Sequence, residues 1–166
     1  LQAEWEGNRV SAWDLDGELR CSIDDKGRVI IPKPFREPFE AGLHMIRGLS
    51  GKCLWLFPLD EWPAQRAALL AHLTAGAGAV DAVRFLRTGF AETPDRQGRA
   101  MIPAPLRDHC GLKPNSAVAA LGMGHRLELW SAELWQKQAV DVIGQVAEIM
   151  AAADLAAMRG DPEPAP

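Results

Sequence analysis

Asp24-Asp25-Lys26-Gly27-Arg28-Val29-Ile30-Ile31-Pro32-Lys33-Pro34-Phe35-Arg36 is a stretch that the chain writes twice. Its second copy is Asp95-Arg96-Gln97-Gly98-Arg99-Ala100-Met101-Ile102-Pro103-Ala104-Pro105-Leu106-Arg107, displaced by 71 positions. Seven of the thirteen positions are identical: the Asp, the Gly, the Arg after it, the Ile, both prolines and the closing Arg. A second echo comes after each copy. Leu54-Trp55-Leu56-Phe57-Pro58-Leu59-Asp60-Glu61-Trp62 aligns with Leu127-Glu128-Leu129-Trp130-Ser131-Ala132-Glu133-Leu134-Trp135 at a displacement of 73. The two extra residues lie between the echoes, where a loop takes them at little entropic cost. The chain reads as a duplication of two units of roughly 45 to 50 residues each, with a connector.

Within a unit, Asp-x-x-Gly-Arg reads as a tight turn. Gly27 and Gly98 provide the positive φ, and Asp24 and Asp95 accept hydrogen bonds from local backbone N–H groups. The apolar run after Arg28 reads as a strand leaving the turn, which Pro32 and Pro103 end. A single helical turn then runs to the closing Arg. The later echoes, Cys53 to Phe57 and Arg126 to Trp130, read as strands, each leading into a helix that begins near Pro58 or Ser131.

Each turn thus carries an Asp four residues before an Arg. A bidentate carboxylate holds a guanidinium in one pose, so the pair reads either as a staple of the hairpin or as a device that aims the Arg. The neighbours bear on the choice. Lys26 and Arg28 in the first copy, and Arg96 and Arg99 in the second, put two basic side chains on one exposed turn, which suits phosphate or base-edge contact.

Taken together, Asp-x-Lys-Gly-Arg-x-x-Ile-Pro-x-x-x-Arg, Arg-Gly-Leu-x-Gly-x-Cys-Leu-x-Leu-Phe-Pro-x-x-x-Trp and Asp-x-Gln-Gly-Arg-x-x-Ile-Pro-x-x-Leu-Arg resemble the MraZ family, over about Gly17 to Trp135. These are bacterial transcriptional regulators of the division and cell-wall gene cluster. The resemblance implies two tandem, pseudo-symmetric AbrB-like (SpoVT-type) swapped-hairpin β units, so the expected fold is α+β with short helices, to which the apolar stripe of the last segment adds a long C-terminal helix. It also implies ring-shaped homo-oligomers that bind short direct repeats in a promoter. The family's signature maps onto Asp24 with Arg28 and Asp95 with Arg99. Family chains begin just before the segment matching Gly17-Glu18-Leu19, so the roughly 14 residues ahead of it, without an initiator Met, are expected to reflect a start at Val10 or Leu15, or to be disordered. Pro38, just after the first copy, departs from the family pattern and predicts a short or kinked helix there.

The composition bounds the rest. The 166 residues suit one compact body or two small ones. No run of 18 apolar residues occurs, so no membrane span is expected. The first twenty residues carry Glu4, Glu6, Arg9 and Asp14 and lack the apolar segment of a signal peptide. Three scattered cysteines fit reduced thiols in a cytoplasm, with Cys53 in the core. The net charge of −4 is concentrated at the ends: residues 1–18 carry five acids and one Arg, and residues 154–166 three acids and one Arg. The body between them has 16 basic and 14 acidic residues. Affinity for DNA would therefore rest on local patches and on many subunits acting together.

The expected organisation is an N-terminal extension (1–16), a first unit (17–73), a linker and short helix (74–87), a second unit (88–135), a C-terminal helix (136–159) and a Pro-rich acidic tail (160–166) expected to be disordered. Leu19 to Ile23 enters the first turn. Leu43 to Gly48 and Lys52 to Phe57 form a hairpin around Ser50-Gly51. Asp60 caps a helix to about Leu73 with Trp62, Leu69, Leu70 and Leu73 on its apolar face. Thr74 to Ala79 is a Gly/Ala linker, and Val80 to Arg87 a short helix with Arg84 and Arg87 on one side. Ala117 to Leu121 and Arg126 to Trp130 make the second hairpin through Gly122-Met123-Gly124-His125. The last helix runs from Ala132 to about Met158, weakened at Gly144. Its stripe of Trp135, Ala139, Val142, Val146 and Ile149 packs either on its own domain or on an adjacent subunit.

Catalytic chemistry is thin. Asp108-His109-Cys110 are adjacent residues whose side chains do not converge as a nucleophile and its base must. His44, His72, His109 and His125 show no metal-ligand spacing with Cys21, Cys53 or Cys110. No enzyme activity, cofactor, metal or small-molecule substrate is expected. The leading expectation is a cytoplasmic, nucleoid-associated regulator binding double-stranded DNA. Arg28 and Arg99 contact the DNA, Lys26 and Arg96 add phosphate contacts, and Asp24 and Asp95 orient the arginines. The competing expectations are an oligomeric scaffold, in which the Asp–Arg turns are only staples, and an AbrB-type antitoxin.

Overall fold

The computed structural model describes residues 11–73 and 79–159; expectations for the first ten residues, for 74–78 and for 160–166 fall outside these. The strands are β1 (Leu15–Ser22), β2 (Arg28–Ile30), β3 (Leu43–Arg47), β4 (Cys53–Pro58), β5 (Phe90–Glu92), β6 (Arg99–Met101), β7 (Ala117–Gly124) and β8 (Leu127–Ser131). The helices are α1 (Trp62–Leu73), α2 (Ala79–Leu86), α3 (Ala104–Cys110) and α4 (Ala132–Arg159). The contacts divide the chain into a body ending at Ala132 and a second unit that begins at Glu133 and holds the rest of α4.

The duplication is written into the sheet. Six strands run in the order β1-β7-β8-β4-β3-β5, and every pairing is antiparallel. Exchanging β1 with β5, β7 with β3 and β8 with β4 reverses that order onto itself, so a pseudo-twofold axis passes between β8 and β4. The strand entering each turn pairs with the other repeat's hairpin. β1 lies along β7 from Leu15↔Gly124 to Ser22↔Ala117, and β5 lies along β3 from Leu43↔Glu92 to Met45↔Phe90. A separate ribbon, β2 with β6, pairs the two strands that leave the turns. This is the swapped arrangement that the family resemblance implies, and the fold is α+β.

The period of two along each strand sorts the side chains. Leu43, Met45, Leu54, Leu56, Val118, Ala120, Leu127 and Leu129 face the ribbon's Val29 and Ala100 and the short helices' Phe35, Phe39 and Leu106, all buried. Each such large side chain stabilises the fold by about 1.5–3 kcal/mol. The alternate residues make a second, aromatic layer. Phe57 lies 5.2 Å from Trp62, and Trp62 stacks on His44 at 4.2 Å. The Arg126 guanidinium sits 4.0 Å over Trp55. Glu128 is buried there and accepts from Arg126 Nη2 at 2.8 Å and Trp130 Nε1 at 3.1 Å.

Pro38 acts as expected. In the first repeat the segment after the strand breaks into two 3-10 turns, Lys33–Phe35 and Glu37–Phe39. In the second, His109 stands at the equivalent place, and α3 runs on to Cys110 before Gly111 closes it at φ 63. Three expectations are corrected. β1 starts at Leu15 rather than Leu19, because its outer half finds a partner in β7; just ahead of it, Glu61 accepts from Ser11 Oγ at 2.6 Å and from the Ala12 amide at 2.7 Å. The second hairpin is longer than 117–121 with 126–130: pairing continues through Gly122↔Leu127, and β1 carries β7 to Gly124. Among the described residues Trp62 and Gln65 are the buried residues of α1, while Leu69 and Leu70 are half-exposed and Leu73 is exposed, because the helix meets the sheet through its first turns.

Helix α4 spans 28 residues, and Val140, Val142, Ile143, Val146, Ile149 and Met150 on it are exposed. No helix among the described residues is long and apolar enough to cross a membrane.

Candidate nucleic-acid interface

The two turns are built the same way, bond for bond. Asp24 Oδ1 accepts from the backbone N–H groups of Lys26 at 3.0 Å and Arg28 at 2.9 Å, and its Oδ2 from Arg28 Nε at 2.6 Å. Asp95 Oδ1 accepts from the amides of Gln97 at 2.9 Å and Arg99 at 3.0 Å, and its Oδ2 from Arg99 Nε at 2.7 Å. The turns close through Gly27 N–H to Asp24 O at 3.1 Å and Gly98 N–H to Asp95 O at 2.8 Å. Both glycines sit at positive φ, +84° and +77°, where an L side chain is strained.

The carboxylates are consequently held in their charged form. The Arg28 backbone N–H, aided by its guanidinium and the Lys26 amide and opposed by burial, holds Asp24 below the usual carboxylate range. Arg99 and the Gln97 amide do the same for Asp95. The pairing differs from the expected bidentate one. Each Arg meets its Asp through Nε alone, because the other carboxylate oxygen is occupied by backbone amides. That leaves the guanidinium aimed but not consumed: among the described residues, neither Nη group of Arg28 or Arg99 has a partner.

The ribbon brings the two turns together. Its register is Arg28↔Met101, Val29↔Ala100 and Ile30↔Arg99. Val29 and Ala100 point into the core, so Arg28, Ile30, Arg99 and Met101 share the outer face. The two arginines stand at diagonal corners, with Cα atoms roughly 8 Å apart from strand spacing and rise. Lys26 and Arg96 are exposed at the turn tips. They are not equivalent positions: Asp25 stands where the second turn has Arg96, so the second turn carries the more positive tip. Every residue expected at the site is on one of these two turns, which stand at opposite ends of the one ribbon.

Such a surface matches a polyanion with edge-on acceptors. Two unspent guanidinium forks can each make two parallel hydrogen bonds, and the flanking cations can meet phosphates. Cys110 is buried and its thiol pushed up to about 12 by desolvation, while burial lowers the affinity of His109 for a proton. Among the described residues, no group of three or more His, Cys, Asp or Glu could hold a metal ion.

A family model described as "MraZ protein, putative antitoxin-like" matches residues 15–79 and 85–153. The chain belongs to the MraZ family. A transcriptional regulator MraZ of Thermus thermophilus is 43% identical over 130 residues, covering 78% of this chain and 90% of that protein. One from Limosilactobacillus reuteri is 40% identical over 138 residues, covering 81% and 95%. One from Deinococcus radiodurans is 40% identical over 121 residues, covering 72% and 83%. The matched span of this MraZ family member takes in both turns and the ribbon.

Sequence alone shows Arg36 and Arg107 only as the ends of helical turns. In the fold each sits against the other repeat's glycine turn, which the strand exchange alone reveals. The one signal in the sequence is their identity in both copies of the motif.

Proposed function

We propose that this chain is a transcriptional regulator that binds double-stranded DNA through the outer face of the β2–β6 ribbon. Arg28 and Arg99 read base edges, Asp24 and Asp95 fix their pose, and Lys26 and Arg96 engage the flanking phosphates. The observation that carries the reading is the pair of matching turns on one ribbon, each with an arginine pinned at Nε and both Nη groups without a partner among the described residues. Their spacing of roughly 8 Å fits within about three base steps of one strand at 3.4 Å each. The names of the relatives, each called a transcriptional regulator, support the same reading.

One such ribbon makes few contacts, and the body is only weakly basic. Affinity then comes from repetition. We take the working form to be a ring-shaped homo-oligomer on promoter direct repeats of the division and cell-wall gene cluster, in the cytoplasm and on the nucleoid. The exposed apolar stripe of α4 supports self-association, and linked sites gain by effective concentration when repeat spacing matches subunit spacing.

The test is a binding titration against the promoter upstream of the protein's own gene and a scrambled duplex of equal length, at two salt concentrations. Repeat-dependent binding that survives moderate salt supports the proposal. Equal, salt-labile binding to both duplexes reduces it to nonspecific electrostatics. Binding to neither at low salt favours the scaffold, in which the Asp–Arg turns are staples.

A further inference from the structure

Arg36 and Arg107 sit where each repeat can control the other. Arg107 Nε donates to Ile102 O at 3.0 Å, and this swings its guanidinium over Gly27 of the first turn. A Cβ built on Gly27 would lie 2.8 Å from Arg107 Cζ and 3.1 Å from Nη1. The Gly27 carbonyl accepts from the Ile102 N–H at 3.1 Å, so the first turn is held from the second repeat both by an amide and by a guanidinium plane. The mirror image holds the second turn. Arg36 Nε donates to Ile31 O at 2.8 Å, its guanidinium covers Gly98, and Gly98 O accepts from Ile31 N–H at 2.8 Å. Neither Arg has a carboxylate partner among the described residues.

A glycine turn is the most pliable backbone in the chain. Arg28 and Arg99 hang on such turns, and an aimed guanidinium is only as fixed as its backbone. The opposite repeat's arginine fills the space a side chain would otherwise occupy and limits the motion of the turn without a Cβ penalty.

We propose that Arg107 is a positioning residue for the Arg28 turn and Arg36 for the Arg99 turn, so that each recognition arginine is set by the other repeat. The assignment deepens the DNA-binding reading and rests on it for its functional consequence. It predicts a crossed dependence. Ordinary support within a repeat would pair Arg36 with Arg28 and Arg107 with Arg99; the fold pairs them the other way.

Two measurements on the full chain test it. The first needs no DNA: amide hydrogen exchange of Arg107→Ala and of the charge-preserving Arg107→Lys. Faster exchange at 24–28, with 95–99 unchanged, is expected in both, and the mirror result for Arg36→Ala and Arg36→Lys. Faster exchange at 95–99 in the Arg107 variants, a uniform rise, or no change overturns the assignment. The second is the ratio of promoter to scrambled-duplex affinity for Arg107→Ala alone and combined with Arg28→Ala or Arg99→Ala. Arg107→Ala is expected to lower the ratio roughly two- to ten-fold, the lower part of the range of coupling between contacting residues. The loss should vanish in the Arg28→Ala background and persist with Arg99→Ala. An equal loss on both duplexes with a shallower salt dependence, restored by Arg107→Lys, makes Arg107 a direct phosphate contact and overturns positioning. A wild-type ratio of one overturns the sequence-specific reading, and the exchange experiment still decides the brace.

Discussion

Replacing Gly27 by Ala tests the cross-repeat seat through stability alone. At φ +84° an L residue pays about 1–2 kcal/mol of backbone strain. The new methyl would also stand 2.8 Å from Arg107 Cζ, too close for the guanidinium to stay. Moving it forfeits the half-buried bond from Nε to Ile102 O, and a hydrogen bond from a charged donor contributes about 1.5–3 kcal/mol. Partial relaxation of a flexible side chain recovers some of this, so the expected total is about 2–4 kcal/mol. That corresponds to a fall in melting temperature on the order of 10 °C. Gly17→Ala is the matched control. It has φ +99° and nothing within 4 Å of the new Cβ, so it should cost only the strain. Urea denaturation at one protein concentration measures both, since self-association would otherwise shift the midpoints. In an Arg107→Ala background the excess of Gly27→Ala over Gly17→Ala should disappear. If Gly27→Ala is no costlier than Gly17→Ala in the wild-type chain, Arg107 does not occupy the seat and the reasoning fails.

Three further outcomes come from the same contacts. Asp24→Asn keeps an oxygen for the Lys26 and Arg28 amides but loses the charged acceptor for Nε, so it should lower promoter affinity with circular dichroism unchanged and only a modest fall in melting temperature; a wild-type affinity would show that Asp24 does not aim Arg28. His44 is pushed down to about 4 by burial, with the charge of Arg66 adding, so the unfolded chain binds a proton between about pH 6.5 and 4 that the folded chain refuses. Stability should therefore fall as pH drops through that window, by about 3 kcal/mol at most from His44, with His109 and His125, also lowered by burial, adding to the fall; the stabilisation from Asp24 and Asp95 is intact above their ordinary 3.8 and is lost only below it, so a His44→Asn variant should reduce the upper fall and leave the acid one unchanged in pH-dependent denaturation. Glu128→Ala leaves Arg126 and the Trp130 indole N–H without their carboxylate in the aromatic layer and should cost about 3–5 kcal/mol by urea denaturation, much of it recovered when Arg126 is also made apolar.

Much of the fold is legible because the chain repeats itself. The doubled Asp-x-x-Gly-Arg locates both turns, and the glycine, the prolines and the alternating strands predict the local structure around them. Pro38 against His109 even explains why one repeat has 3-10 turns and the other a helix. Single-residue reading does not reach the exchange between the copies. Nothing in Leu15–Ser22 states that its partner is Ala117–Gly124, about a hundred residues away, so sequence pattern starts β1 too late and draws the second hairpin too short. The brace by Arg36 and Arg107 is hidden for the same reason. Within its own repeat each arginine is merely the end of a helical turn; only the swap lays it on the other glycine. Leu69, Leu70 and Leu73 mislead in the opposite direction, since an apolar spacing on a helix does not say how much of the helix meets the sheet.

The central claim is that the two aimed arginines supply sequence discrimination. The most direct measurement is the ratio of affinities for the promoter repeats and a scrambled duplex, for wild type and for Arg28→Ala/Arg99→Ala, at fixed salt. A good bidentate contact discriminates by about 1–3 kcal/mol per base, so the double variant should lose most of the ratio and keep its fold and residual scrambled-duplex binding through Lys26 and Arg96. A folded double variant that discriminates as well as wild type would contradict the account.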